Sequence, residues 1–318
     1  MNPSPANPLR IATRSTDVAL RRANVVQRAL AALGLESVLV KLKTAGDKKE
    51  PAALHSISER GTFTKDLEKA LLKGKADIAV HPLDLLPSDG IDGLVIAALL
   101  ERGDARDAVV ISDQAQASSL EELPAGSRIS TPNFRIRAQL RLLRPDLDSA
   151  ELHGDLSERL KKIDQGRVHA AIVPACSLHL LGAEQRIASE LEPPGWLSAP
   201  GQGIITLQTR ADDVSTRTLL APLHHAPTAS IASAELAFAN ALEGGAQVPL
   251  GVAATATGLF GFIASLDGAR AVRGVVVLDP DDPALSGIRL ANQLRSDGAS
   301  ELLEGLRRAM HIMPPAPE

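Results

Sequence analysis

Tyrosine is absent from this 318-residue chain, tryptophan and cysteine occur once each, and phenylalanine five times. So few aromatic rings leave few platforms on which nucleic-acid bases could stack, and a formal net charge of −4 offers no attraction for phosphate backbones. Nucleic-acid binding is therefore not expected. The lone Cys176 excludes an internal disulfide and any cysteine-rich metal site, and fits a reducing compartment. None of the eight histidines has ligand spacing. His224 and His225 are adjacent, so their side chains diverge by roughly 100° on a helix and face opposite ways on a strand. No metal site is expected. The amino terminus, Met1 to Pro8, has no positive segment followed by an apolar one, and no secretory signal is visible. The longest weakly polar run, Gly251 to Leu266, is broken by Thr and Gly and is too short to span a bilayer. The expectation is a soluble, cytoplasmic protein with no membrane association.

What is present suits packed domains. An apolar fraction of 44% over this length supports two or three real cores. Strand-like and helix-like segments alternate through the first two-thirds, which predicts α/β layers with largely parallel sheets. Arg10 to Thr13 reads as a strand, followed by a helix capped by Asp17 that runs from Val18 through Val26 and Leu30 to a stop at Gly34. Glu36 to Lys43 reads as a half-buried strand, Ala45 to Arg60 as a mobile loop, Thr64 to Lys73 as an amphipathic helix and Ala76 to Val80 as a buried strand. From about Asp104 a second unit begins, with strands at 108–112, 128–131 and 168–173 and helices at 133–143 and 156–163. The Pro- and Gly-rich stretches Glu192-Pro193-Pro194-Gly195 and Pro200-Gly201-Gln202-Gly203 mark a return to the first unit, hence paired crossovers and a hinge. After His225 a helix from Thr228 to Leu242, three strand-like runs and a final helix across Leu285 to Met310 predict an α+β domain. The expected domains are a first α/β lobe of residues 1–103 and 201–222, a second of 104–200, and a carboxy-terminal α+β domain of 223–318.

Two motifs stand out. Leu242-Glu243-Gly244-Gly245-Ala246-Gln247-Val248-Pro249-Leu250-Gly251 resembles the cofactor-attachment loop of the porphobilinogen deaminase (hydroxymethylbilane synthase) family, in which a cysteine follows Gly-Gly; here Ala246 stands there. Ala79-Val80-His81-Pro82-Leu83-Asp84-Leu85-Leu86-Pro87 resembles the same family's Ala-Val-His-Ser-Met-Lys-Asp-Val-Pro segment, and its catalytic aspartate position is Leu85. Arg10-Ile11-Ala12-Thr13-Arg14, Gly61-Thr62-Phe63-Thr64-Lys65-Asp66-Leu67-Glu68, Glu101-Arg102-Gly103-Asp104-Ala105-Arg106-Asp107-Ala108, Arg144-Pro145-Asp146-Leu147 and Gly201-Gln202-Gly203 follow the family's order, from about Arg10 to near Gly298. The resemblance implies three domains, with two periplasmic-binding-protein-like lobes and an active cleft between them.

In the family a dipyrromethane is joined by a thioether to the third-domain cysteine and extended by four porphobilinogen units. A methyl group has no nucleophile, so the sequence predicts that Ala246 cannot hold this cofactor and that the cofactor is absent. Cys176, placed by the resemblance in the second lobe, reads as an ordinary packed residue rather than a substitute. Leu85 cannot supply the carboxylate that stabilises a cationic pyrrole. Asp84 occupies the family's lysine position, and in an extended loop its side chain points about 180° away from residue 85. Acidic oligopyrroles need arginines that grip carboxylates. Arg14, Arg135 and Arg159 are kept, while Ile136, His153 and Leu180 stand where the family has arginine. With the lysine exchanged for Asp84, about five positive charge units are lost if His153 is neutral. Pro132-Asn133 replaces a Ser-Ser pair, and Pro82 a serine.

The candidate ligand-binding residues are Arg14, Asp47, Thr131, Arg135, His153, Arg159 and Gln202. Each has a plainer reading: the arginines as interdomain ion-pair partners, Gln202 and its flanking glycines as hinge geometry, and Asp47 as a solvated turn acid. The chemistry favours a non-catalytic family member that binds a small acidic or pyrrolic ligand. The alternatives are an active synthase with a variant mechanism, or a protein-binding partner of a tetrapyrrole enzyme.

Overall fold

The structure is a computed structural model that describes residues 7–44, 63–87, 90–131, 133–244 and 248–310. The expected loop from Ala45 to Arg60, Asp47 within it, and Ala246 lie outside the described residues. Strands β1 (Leu9–Arg14), β2 (Ser37–Leu42), β3 (Ile78–Pro82), β4 (Leu94–Leu99) and β10 (Ile205–Arg210) form one sheet in the order β2-β1-β3-β10-β4. β1 is parallel to β2 and β3, and β10 runs antiparallel between β3 and β4.

Period-two alternation sorts the strand residues between two cores. Ile11, Ile78 and Val80 face helix α1 (Asp17–Ala32), whose inner face is Ala19, Ala23, Val26 and Leu30. Ala12 and Ala79, one residue out of step, face Leu67 and Leu71 of α2 (Lys65–Leu72). The residue preceding α1 is Thr16, with no side-chain cap, and Asp17 lies in the first turn, where its charge favours the helix dipole; the expected Asp17 cap is corrected to that extent.

A second sheet repeats this arrangement with β5 (Asp107–Ile111), β6 (Arg128–Ser130), β7 (Asp148–Ala150), β8 (Ala170–Pro174) and β9 (Ser189–Leu191), in the order β7-β6-β8-β5-β9. Again one strand, β5, runs antiparallel to its neighbours β8 and β9, while β6 is parallel to both of its neighbours, β7 and β8. Helices α3 (Phe134–Leu143), α4 (Leu156–Asp164) and α5 (Ala175–Leu181) cover its faces. Asn133 caps α3 by accepting from the N–H of Arg135, and Asp155 with Glu158 forms a capping box on α4.

After α6 (Val214–Leu220), helix α7 (Ala226–Ala241) leads into the antiparallel meander β11 (Leu250–Thr255), β12 (Gly258–Ala264) and β13 (Ala271–Val276). Helix α8 (Pro283–Leu294) packs against α7 so closely that a Cβ at Gly287 would lie 2.1 Å from the carbonyl oxygen of Ala234. The expected single helix from Leu285 to Met310 is interrupted: residues 295–299 form a wide turn in which Gly298 has φ 112°, and α9 (Ser300–Met310) resumes beyond it. The α/β lobes and small α+β domain are thus present. No described helix is long and apolar enough to cross a membrane.

The third unit is fastened to the crossover by Glu235 of α7. Its carboxylate accepts from Arg102 at 2.8 and 3.1 Å and from the N–H of Gly201 at 2.8 Å, and its side chain has no exposure. Replacing Glu235 by Ala leaves the Gly201 N–H unpaired and the half-buried Arg102 guanidinium without its carboxylate, its Nε keeping only the Gln202 carbonyl, and a loss of about 3–5 kcal/mol in denaturant unfolding is expected. Glu301→Ala breaks a pair with Arg270 of similar length, 2.9 Å, but both side chains are more than half exposed. Its expected cost is under about 1 kcal/mol.

Candidate functional site in the interlobe cleft

In open α/β sheets the carboxyl ends of parallel strands form the ligand crevice. Here β1 ends at Arg14, β3 at Pro82, β6 at Ser130 and β8 at Pro174. Helix α1 of the first lobe packs on α4 and α5 of the second, and its Val18 joins the second lobe's core with Leu156, Ile163 and Leu178. The two strand-end sets are thereby closed on each other.

The first lobe contributes Arg14, whose guanidinium lies 4.4 Å from the centre of the Phe63 ring. It also contributes His81, which is buried, and Asp84. Residues Leu83–Leu85 form one turn of 3-10 helix rather than the extended loop expected from the sequence. Successive side chains on such a turn diverge by about 120°, not 180°. Leu83 is the residue turned inward, packed so tightly on Gly201 that a Cβ there would lie 2.8 Å from its Cγ. Gly201 and Gly203 have φ of 74° and 85°, angles that suit glycine at this crossover.

Asp84 lies within electrostatic range of Arg22 on α1 and of Cys176 at the start of α5. Protein surrounds all three, although each keeps some contact with water. Burial raises the Asp84 carboxyl above its ordinary range while Arg22 opposes it, and burial likewise lowers the Arg22 guanidinium. The Cys176 thiol is pushed up to about 11, first by burial and then by Asp84. A thiol so shifted is protonated at neutral pH and a poor nucleophile.

The second lobe contributes Ser130 and Thr131, both fully buried, whose hydroxyls have no hydrogen-bond partner. Arg159 on α4 is half-buried, its Nε is likewise without one, and burial lowers its guanidinium. Unpaired buried polar groups of this kind are uncommon and mark places where a polar ligand fits.

The other candidates are elsewhere. Arg135 is buried and holds Asp107 through two hydrogen bonds of 2.6 and 3.2 Å, with a third to the carbonyl of Leu197. Gln202 donates to Asp107 and to the carbonyls of Ala105 and Arg106, and accepts from Arg135. Both fasten the crossover, which is the plainer reading of each. His153 is exposed, and only its carbonyl is engaged, by Lys162. Sequence reasoning missed Arg22, Ser130 and the role of Asp107. Arg21-Arg22 reads as a solvated helix face, and only the lobe contact distinguishes the two.

Two family models match the chain. "Porphobilinogen deaminase, dipyromethane cofactor binding domain" covers residues 9–218, and "Porphobilinogen deaminase, C-terminal domain" covers 229–296. The porphobilinogen deaminase of Synechococcus elongatus is 40% identical over 307 residues, 95% of this chain and 96% of that protein. That of Xanthomonas oryzae pv. oryzae is 39% identical over 304 residues, 94% and 99%. Among solved structures, the methionine-binding protein MetQ aligns with a TM-score of 0.43 at 15% identity, over 72% of this chain and 94% of that one. The expectation that the dipyrromethane cofactor is absent is corrected by the first match: two-thirds of the chain is a cofactor-binding domain of that kind. The hydroxyls of Ser130 and Thr131 and the Arg159 Nε are donors of the kind a carboxylate accepts from, and since both hydroxyls are fully buried, a ligand reaches them only when the lobes part. What remains of the earlier inference is chemical and local: Ala246 has no sulfur to bond to it.

His81 offers a test of the cleft. Burial holds its imidazole down to about 3 in the folded protein, with Arg22 and Arg14 pushing the same way, against an ordinary 6.5. Unfolded chains therefore bind the extra proton between those values. Stability is full above about pH 6.5 and falls by up to about 1.4 kcal/mol per unit as the pH drops toward 3. In a His81→Asn variant, that segment of the stability–pH curve is expected to flatten, as measured by urea unfolding across pH 4–7.

Proposed function

The chain belongs to the porphobilinogen deaminase family of tetrapyrrole biosynthesis, and from that premise we propose that its cleft holds a carboxylated pyrrole, mono- or dipyrrolic, without a covalent bond to residue 246. The observation that carries this reading is a set of buried donors without partners in the second lobe: Ser130 Oγ and Thr131 Oγ1 at the end of β6, and Arg159 Nε on α4. A carboxylate accepts only, and charge-assisted bonds from such donors would relieve the cost of leaving them dry. Arg14, facing the same crevice from β1, adds a second cation. A bound dipyrromethane would supply a pyrrole carbon from which a chain grows. The residues here hold its acid groups but offer no thiolate at 246 and no carboxylate at 85. We propose that the usual polymerisation does not proceed at this site.

After incubation with porphobilinogen, intact-mass measurement under native conditions is expected to find a complex that is lost on denaturation. The paired change Thr131→Val with Arg159→Gln is expected to weaken binding about tenfold or more, the worth of one or two charge-assisted hydrogen bonds. A denatured chain heavier by a dipyrromethane would overturn the non-covalent reading and direct attention to another nucleophile.

One observation favours a second reading, an active deaminase of variant mechanism. The 3-10 turn at Leu83–Leu85 puts Asp84 on a bent loop, the condition under which it could stand in for the missing carboxylate. Against this, Asp84 is opposed by Arg22 and its carboxyl is raised by burial. Turnover of porphobilinogen to uroporphyrin after oxidation, abolished by Asp84→Asn, would establish this reading over the first. No turnover in the unaltered protein removes it.

A further inference from the structure

A solvent-open cavity lies away from the cleft, where the second lobe meets the third domain; most of its lining residues are exposed, and its volume is about 570 Å³. That is far more than the roughly 30 Å³ share of one water molecule. Its walls are β6, α3 and β7 on one side and the turn between β12 and β13 on the other. Three guanidinium groups line it: Arg128, Arg137 and Arg141.

Like charges gathered in this way repel unless something neutralises them. The Nε of Arg137 is buried without a hydrogen-bond partner, and its nearest carboxylate, Glu151, is at a long 3.6 Å. The exposed side chains of Arg128 and Arg141 make no hydrogen bond or close ion pair among the described residues, although Arg141, after the hydrogen bonds from Ser265 and Ala269, helps to lower the Asp267 carboxyl. Of the two lining carboxylates, Asp267 is already engaged by the hydroxyl of Ser265 at 2.5 Å and the N–H of Ala269 at 3.0 Å. Asp148 is the other, and Ser149 adds a hydroxyl. With Glu151 beside Arg137 counted, three cations face three anions, so the cavity is charge-balanced, and what it offers is guanidinium donors without hydrogen-bond partners.

We propose that this cavity binds a small dianion through phosphate or carboxylate oxygens, with Arg128, Arg137 and Arg141 as its cationic ligands. Arginine presents planar paired donors that match both kinds of oxyanion. The position lies beside the junction of the two units. Gly268, at φ 69°, seats the third domain's turn on α3 so closely that a Cβ would lie 2.8 Å from the Cβ of Arg141. Beside this contact, Phe262, Ala253 and Ala264 of the third domain pack on Ala138 and Leu197 of the second lobe. All three arginines belong to the second lobe, and the third domain contributes Leu266 and the Asp267 carboxylate to the rim.

The test uses the full chain and calorimetric titration at constant ionic strength, with inorganic pyrophosphate in one arm and citrate in the other. Saturable one-site binding of either is expected, and the tighter arm identifies the oxyanion class. Arg128→Gln combined with Arg141→Gln is expected to weaken it at least about tenfold. Arg14→Gln with Arg159→Gln, in the cleft, is expected to leave it unchanged, so failure here and failure of the pyrrole-binding reading are separable. Circular dichroism checks that each variant is folded. No saturable binding in either arm, or binding lost with the cleft pair and kept with the cavity pair, overturns the proposal.

Discussion

Asp107 places a carboxylate in the protein interior, and everything near the hinge is arranged around the donors it requires. Arg135 reaches it from α3 with two bonds, the indole N–H of Trp196 at 2.6 Å, and the Gln202 amide at 3.0 Å. Asp107 opens β5, just after the chain first passes between lobes, and Trp196 and Gln202 lie on the segment that brings it back. One buried group thus ties both crossing segments to one helix. Burying a charge is costly unless it is fully paired, so the donors are held in place by the same energy that would be lost without them. Trp196, the chain's single tryptophan, is explained by this contact, because a buried indole needs a partner for its N–H.

With the crossover fixed in this way, the cleft inherits a defined geometry but altered electrostatics. Arg22 and Asp84 offset each other inside it, Arg14 lies against an aromatic ring, and Arg135 is taken up by the hinge. Among the described residues, buried hydrogen-bonding atoms without partners occur on both lobes, at Ser130, Thr131 and Arg159 of the second and at His81, Thr206 and Gln208 of the first.

Much of the fold was legible in residue patterns. The half-buried strand Ser37–Leu42 and the helices with a clear inner face were read to within a residue or two, because burial on one face leaves a period in the sequence. The interruption at Gly298 was not, since a lone glycine in a helical pattern is often tolerated and only its φ of 112° shows the break. The turn at Asp84 was read as extended because no local residue announces a 3-10 turn there; Leu83 is drawn inward by its packing on Gly201, more than a hundred residues away. For the candidate site, residue types were legible and partners were not. Arg135 and Arg159 look alike in the sequence, yet one faces a buried carboxylate and the other has an unpaired nitrogen, a difference that only tertiary contacts create.

The swapped middle strand of each sheet also bears on how the chain comes off the ribosome. Strand β10, residues 205–210, sits between β3 and β4, so β4 has no partner in its own sheet until β10 arrives. The first lobe, whose first strand is made at residue 9, stays in two pieces while the entire second lobe is synthesised. At about 5–20 residues per second this leaves strand edges unpaired for several seconds or more, the interval in which a nascent chain is most open to chaperones and to misassembly.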